Sequence, residues 1–108
     1  MFLEQRGYKI IARNWRSPTR IGELDLIAED ADGLAFVEVR MRRGDAMGTP
    51  EESLTYRKRQ RLLRLAQEYV QAHAECAERA WRIDLVAIEL DRAGKIARME
   101  VVKNAVES

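Results

Sequence analysis

Residues Ile21–Arg42 read IGELDLIAEDADGLAFVEVRMR. Two alternating stretches flank Asp30-Ala31-Asp32-Gly33, whose Asp-Gly end is a strong turn signal. Side chains on a strand alternate with a period of two. A first strand over Ile21–Glu29 therefore places Glu23, Asp25 and Ile27 on one face and Leu24, Leu26 and Ala28 on the other. A second strand over Leu34–Met41 sets Phe36, Glu38 and Arg40 against Val37, Val39 and Met41. With the four turn residues as the loop, the antiparallel register pairs Glu29 with Leu34, Ala28 with Ala35, Asp25 with Glu38, and Glu23 with Arg40. Carboxylates placed opposite each other repel by roughly 0.2–1 kcal/mol. A divalent cation between them reverses that sign. The other reading is a half-wet sheet face carrying one Glu23–Arg40 ion pair, worth about 0–1 kcal/mol. Spacing by itself leaves both open.

Upstream, Met1–Arg6 reads as the last turns of a helix, with Gly7 where a left-handed C-terminal residue belongs. Tyr8–Asn14 alternates weakly, Tyr8, Ile10 and Ala12 against Lys9, Ile11 and Arg13, and is expected to be a strand near a sheet edge. A loop with Arg16, Pro18 and Arg20 leads into the hairpin. Downstream, Arg42–Gly48 is a basic loop. Thr49-Pro50-Glu51-Glu52 is a capping-box pattern, so a helix starts there or restarts near Thr55, and runs to about Ala74. Leu62, Leu65, Ala66, Tyr69 and Val70 form its apolar stripe. Trp81–Leu90 is apolar on both faces and suits an interior strand. Ile96–Lys103 is a last strand, followed by a frayed tail. The order predicts an α/β fold with a mixed sheet.

The chain has 108 residues, 46% of them hydrophobic, which suits one domain with one core. The net charge of +1 leaves the question of nucleic acid to the distribution of charge. The lone Cys76 cannot form an internal disulfide, which fits a reducing compartment. No apolar run approaches the roughly 18 residues of a membrane span, and the N-terminus lacks the order of a signal peptide. A cytoplasmic protein without membrane contact is expected.

Chemistry-bearing residues are few. One histidine, His73, and one cysteine argue against a structural zinc site. Neither a nucleophilic triad nor a phosphate-binding glycine loop is present. The window Arg40–Arg64 carries eight basic residues against three acids, Asp45, Glu51 and Glu52. Phosphate contact explains such a concentration, and so does a solvated helix face. Trp15 either stacks a base or packs on the sheet. Asp84 interrupts an apolar strand and needs a partner. An arginine would make it structural and the acidic site would make it functional; the first is the expectation.

A strand with Asp, a turn, and a strand with Glu-x-Lys resembles the PD-(D/E)xK nuclease superfamily of restriction endonucleases and archaeal Holliday junction resolvases. Asp25 followed by Glu38-Val39-Arg40 matches that order. More closely, the chain resembles the YraN-type family of uncharacterised, endonuclease-like bacterial proteins. The likeness covers GYKIIARNWR (Gly7–Arg16), GELDLIAED (Gly22–Asp30), FVEVRMR (Phe36–Arg42), the helix around Lys58, and WRIDLVAI (Trp81–Ile88). It implies a restriction-endonuclease-like fold, a central mixed sheet flanked by helices. It implies a single nuclease-like domain over residues 1–108 whose N-terminal helix is truncated.

The same resemblance implies that Asp25, Glu38 and the Val39 carbonyl hold Mg²⁺ or Mn²⁺, with Glu23 as a supporting acid; Asp84, from its place in an apolar strand, is the other supporting candidate. Arg40 stands where the superfamily has lysine. Arginine stabilises charge on a phosphate but stays protonated and cannot act as a general base. Lys58 is the candidate substitute, and Arg42, Arg43, Arg57 and Arg61 are the candidate nucleic-acid contacts. The expected activity is metal-dependent cleavage of DNA, branched DNA included, with a homodimer allowed. The alternative is a nucleic-acid-binding module with lost or weakened catalysis, and a third is a protein-interaction domain on a nuclease scaffold.

Overall fold

The structure, a computed structural model, describes residues 1–44 and 48–107. Asp45 and its neighbours in the expected Arg42–Gly48 loop lie outside the described residues, as does Ser108. Five strands, β1 (Lys9–Arg16), β2 (Glu23–Asp30), β3 (Gly33–Arg43), β4 (Trp81–Leu90) and β5 (Ile96–Val106), form one sheet in the order β1-β2-β3-β4-β5. β3 and β4 are parallel and every other neighbouring pair is antiparallel. Parallel neighbours need a long crossover, and α1 (Tyr56–Ala72) lies within it. The α/β class and the mixed sheet follow the expectation. The flanking helices do not: among the described residues α1 is the one α-helix, and it covers one face of the sheet. No helix among the described residues is long and apolar enough to cross a membrane.

The hairpin keeps the expected register but has a shorter loop. Asp30 pairs with Gly33, leaving only Ala31 and Asp32 as the turn, and the ladder runs to Leu26↔Val37. Gly33, at φ +137°, cannot be replaced cheaply, because a Cβ there would lie 2.4 Å from the Ala80 carbonyl oxygen. That carbonyl accepts from the Leu34 N–H at 3.0 Å and ties the turn to the start of β4.

β1 departs from simple alternation. Its register shifts between Ile10 and Ala12, so Tyr8 and Ile10 face one side of the sheet while Ala12 packs on the other. A bulge of this kind re-aims every side chain beyond it. Further along, past Asn14 at φ +52°, Trp15 meets Tyr69 of α1 edge to face, with centroids 5.3 Å apart, and its role is packing. The capping box forms as read, with Thr49 N–H to Glu52 Oε1 at 2.9 Å and Glu52 N–H to Thr49 Oγ1 at 3.1 Å. It caps a single turn, after which the chain restarts with Thr55 as the cap of α1. Arg98 holds that turn to β5 through Glu51, at 2.8 and 3.0 Å.

The helix-side core joins Leu62, Leu65, Ala66 and Tyr69 to Ile27, Phe36 and Ile83, with Leu63, Leu54 and Cys76 included. Leu24, placed by alternation on the opposite face from Ile27, is part of this same core. Val70 is only partly buried. The expected frayed tail is replaced up to Val106 by β5, whose Val106 packs in the core and pairs with Ile83.

The other face carries a smaller core of Leu3, Tyr8, Ala28, Ala35, Val37 and Val86. Asp84 is fully buried in the strand beside it. Arg82 Nε donates to its two oxygens at 3.0 and 3.1 Å, the Tyr8 hydroxyl donates at 2.7 Å, and the Asn104 N–H donates at 2.9 Å. Arg82 also grips Asp30 in a fork, at 3.2 and 2.7 Å. Burial works against the Arg82 charge, and its bonds to Asp30, Asp84 and Tyr8 outweigh it. Arg82 in turn holds the Asp30 carboxyl well below the usual carboxylate range. Burial, aided by Asp84, pushes the Tyr8 phenol up to about 12.

Removing Arg82 strands two buried acids. Arg82→Ala is expected to cost about 3–5 kcal/mol, read as a fall in Tm of more than about 10 °C. Tyr8→Phe, which leaves the ion pairs intact, should cost no more than about 1–3 kcal/mol. Equal small losses in thermal denaturation of the two variants would contradict this ranking.

Candidate functional site

The hairpin brings Asp25 and Glu38 together on the α1 side of the sheet, though not as a backbone pair. The β2–β3 ladder stops at Leu26↔Val37, one step short of them. In its place the Asp25 carboxylate turns across, and its Oδ2 accepts from the Val39 N–H at 3.0 Å. Glu38 is held beside it in the wall of the core, its side chain 15% exposed. Burial, followed by the hydrogen bond and the charge of Asp25, raises the Glu38 carboxyl to about 7. The guanidinium groups of Arg40 and Arg61 oppose that rise.

Arg40 is fixed by two contacts. Its Nε donates to Ser53 Oγ at 2.9 Å, and its Nη1 lies 3.7 Å from Glu38 Oε2. Ser53 is buried in the capped turn before α1, and its own hydroxyl donates to the Pro50 carbonyl at 2.6 Å. Lys58 reaches the same residue: its Nζ donates to the Ser53 carbonyl at 3.4 Å. Ser53 thus holds both cationic candidates at the end of the acid pair. Nothing in the sequence marked it, because a serine in a turn is ordinary.

The expected Glu23–Arg40 pair does not form. Glu23 instead lies 3.5 Å from Arg16 across β1 and β2, and Arg40 is taken by Ser53 and Glu38. Ending the ladder early removes the pairing that would have set Glu23 opposite Arg40. Asp84 lies on the other face, in the Arg82 network described above. Of the four arginines expected to meet nucleic acid, Arg57 and Arg61 are exposed on one face of α1, four residues apart. Arg61 acts on Glu38, as its effect on that carboxyl shows. Arg42 is half-buried, and its Nε has no hydrogen-bond partner among the described residues. Arg43 leans on the β4–β5 turn, donating to the Arg92 carbonyl at 3.3 Å. His73 caps α1 and stacks on Tyr69 at 3.9 Å, while Cys76 is core.

Two carboxylates with one oxygen engaged by a backbone N–H form a hard, oxygen-only donor set. Among the described residues no third His, Cys, Asp or Glu completes a cluster with them. Such a set suits a cation that keeps several waters, and Mg²⁺ is of that kind.

The raised Glu38 carboxyl has a consequence for stability. Its folded pKa lies above the unfolded value of 4.5, so its contribution is fully present below pH 4.5 and is lost as pH rises through about 7. Glu38→Gln removes the titration and should be the more stable protein at pH 8, by on the order of 2–3 kcal/mol. Urea denaturation of both proteins at pH 5 and pH 8 checks this. Parallel changes in the two would remove Glu38 as the source.

The comparisons with known proteins agree with one another. Residues 1–88 match the model of a family described as "Uncharacterised protein family UPF0102". The UPF0102 protein of Moorella thermoacetica is 44% identical over 103 residues, covering 95% of this chain and 83% of the relative. That of Herpetosiphon aurantiacus is 50% identical over 95 residues, covering 84% and 74%. That of Desulforamulus reducens is 41% identical over 106 residues, covering 97% and 85%. The chain therefore belongs to the uncharacterised protein family UPF0102.

Proposed function

We propose that this chain is a metal-dependent endonuclease acting on DNA, built on a restriction-endonuclease-like scaffold of the PD-(D/E)xK kind. The observation that carries the reading is the half-buried Asp25/Glu38 pair flanked by Arg40 and Arg61. Fold stability does not call for two acids side by side in the wall of a core, since their repulsion and desolvation both act against it. Perturbed acids of this kind cluster at functional sites. Asp25, Glu38 and the Val39 carbonyl would hold Mg²⁺ or Mn²⁺, which supplies charge neutralisation at a phosphate and a bound water of lowered pKa. Asp25 is oriented for this by the Val39 N–H. Arg40, fixed by Ser53, and Arg61 set positive charge beside the acids, where a phosphodiester would lie. Both stay protonated, so neither removes a proton from water.

A second reading has its own support. Lys58 spends its ammonium on the Ser53 carbonyl, and arginine stands at position 40. A site with charge for the phosphate and no lysine at position 40 suits a nucleic-acid-binding module with weakened catalysis.

Cleavage of linear and four-way DNA, with Mg²⁺, Mn²⁺ or EDTA, separates the two. The endonuclease reading expects metal-dependent cutting that Asp25→Ala reduces by more than the roughly 10–100-fold cost of losing a group that merely orients a ligand. Binding without cutting favours the second reading, and cutting that survives Asp25→Ala removes this site.

A further inference from the structure

We propose that the β1–β2 loop, residues 17–22, is a second phosphodiester-binding element that seats the polynucleotide strand beside the acid pair, with Arg20 and Arg16 as its contacts. The inference rests on the nucleic-acid reading above and extends it to a cleft which that reading leaves unused. The cleft has a volume of about 700 Å³ and is lined by Arg16, Ser17, Pro18, Arg20, Gly22 and Glu23. Its floor includes Glu23, at the start of β2, the strand that carries Asp25. Asp25 lies two residues beyond Glu23 on the same strand, about 7 Å along it. Arg61 joins the two: a Cβ on Gly22 would lie 3.7 Å from its Cδ, and its charge also acts on Glu38.

The loop is held as a rigid piece. Ser17 is buried and donates to Glu68 of α1 at 3.0 Å, and the Thr19 hydroxyl donates to the same carboxylate at 2.7 Å. The backbone closes on itself through Ser17 N–H to Gly22 O at 3.1 Å and Arg20 N–H to Ser17 O at 3.0 Å. At the apex Arg20 adopts φ +62°, a left-handed conformation that suits glycine better than arginine. Its side chain is exposed and has no carboxylate partner among the described residues. Arg16 is also exposed and meets Glu23 only at 3.5 Å. An arginine held at a strained, pinned apex over a cleft, with its charge unspent, is placed for an anion. The neighbouring Arg61 and the acid pair make that anion a phosphate of a chain running through the site. Contacts of this kind read backbone charge, so they carry no sequence preference.

The test is fluorescence anisotropy with labelled single-stranded and duplex DNA over a range of KCl concentrations, in EDTA so that binding is read without cutting. Arg20→Gly removes the charge and relieves the backbone, so this variant should melt no lower than the wild type. Its slope of log affinity against log salt should be smaller by about 1, for every DNA sequence alike. Arg16→Ala should act in the same direction, and Arg20→Lys should restore most of the slope. Inorganic phosphate at matched ionic strength should displace none of the DNA; displacement would assign the cleft to a small anion and overturn the proposal. If Arg57→Ala weakens binding while Arg20→Gly and Arg16→Ala change neither affinity nor slope, the cleft is overturned and the nucleic-acid reading stands. If the wild type binds no DNA at low salt, that reading falls and the cleft falls with it.

Discussion

Asp84 sits in the sheet with no exposure to solvent, and a charge so placed must be met on every side or not carried at all. Arg82 from its own strand, Tyr8 from the segment before β1 and the backbone of Asn104 in β5 meet it. Through Arg82 the network extends to Asp30 at the end of β2, which Lys103 also reaches at 3.2 Å. One buried carboxylate thus ties both edges of the sheet to its centre and fixes the hairpin turn against β4. The Ala80 carbonyl, accepting from Leu34 beside Gly33, fastens the same turn a second time. The position of Glu38, five residues along β3 from that turn, depends on this anchorage.

The two faces of the sheet use charge in opposite ways. On one, acids and bases are paired until every group is satisfied, and Asp30 and Arg82 hold each other charged. On the other, Asp25 and Glu38 are set together with cations near but not fully paired, and the Glu38 carboxyl rises instead of falling. The first arrangement stabilises a fold. The second leaves electrostatic work undone, and a bound cation and an anionic substrate are the species that would complete it.

α1 connects these themes. Its apolar stripe closes the core over Phe36 and Ile27, while its polar residues organise the site from outside. Glu68 pins the β1–β2 loop, Arg61 lies between that loop and Glu38, and Lys58 meets the turn that holds Arg40. The helix is therefore both the lid of the core and the frame of the cleft. Trp15 belongs to the same design, since it packs on Tyr69 at the foot of the loop.

Local pattern alone determined much of this. Alternation and the Asp-Gly signal gave the hairpin and its register, periodicity gave α1 and most of its buried stripe, and the apolar run over Trp81–Leu90 gave the interior strand with its buried acid. These are properties of short segments, set by side-chain direction and turn chemistry. The early end of the ladder at Asp25, the flip at Ile11 and the continuation of β5 to Val106 were decided by contacts between segments far apart in the chain. So were the choice of Arg16 over Arg40 as the partner of Glu23, and the roles of Ser53 and Glu68. A serine or a glutamate on a turn or helix surface carries no local mark of what it will touch. The acid pair was legible because two neighbouring strands made it; Arg40, Lys58 and Arg61 were legible as candidate cations, but their contacts were not, because a helix and its preceding turn had to be folded onto the sheet before they could form.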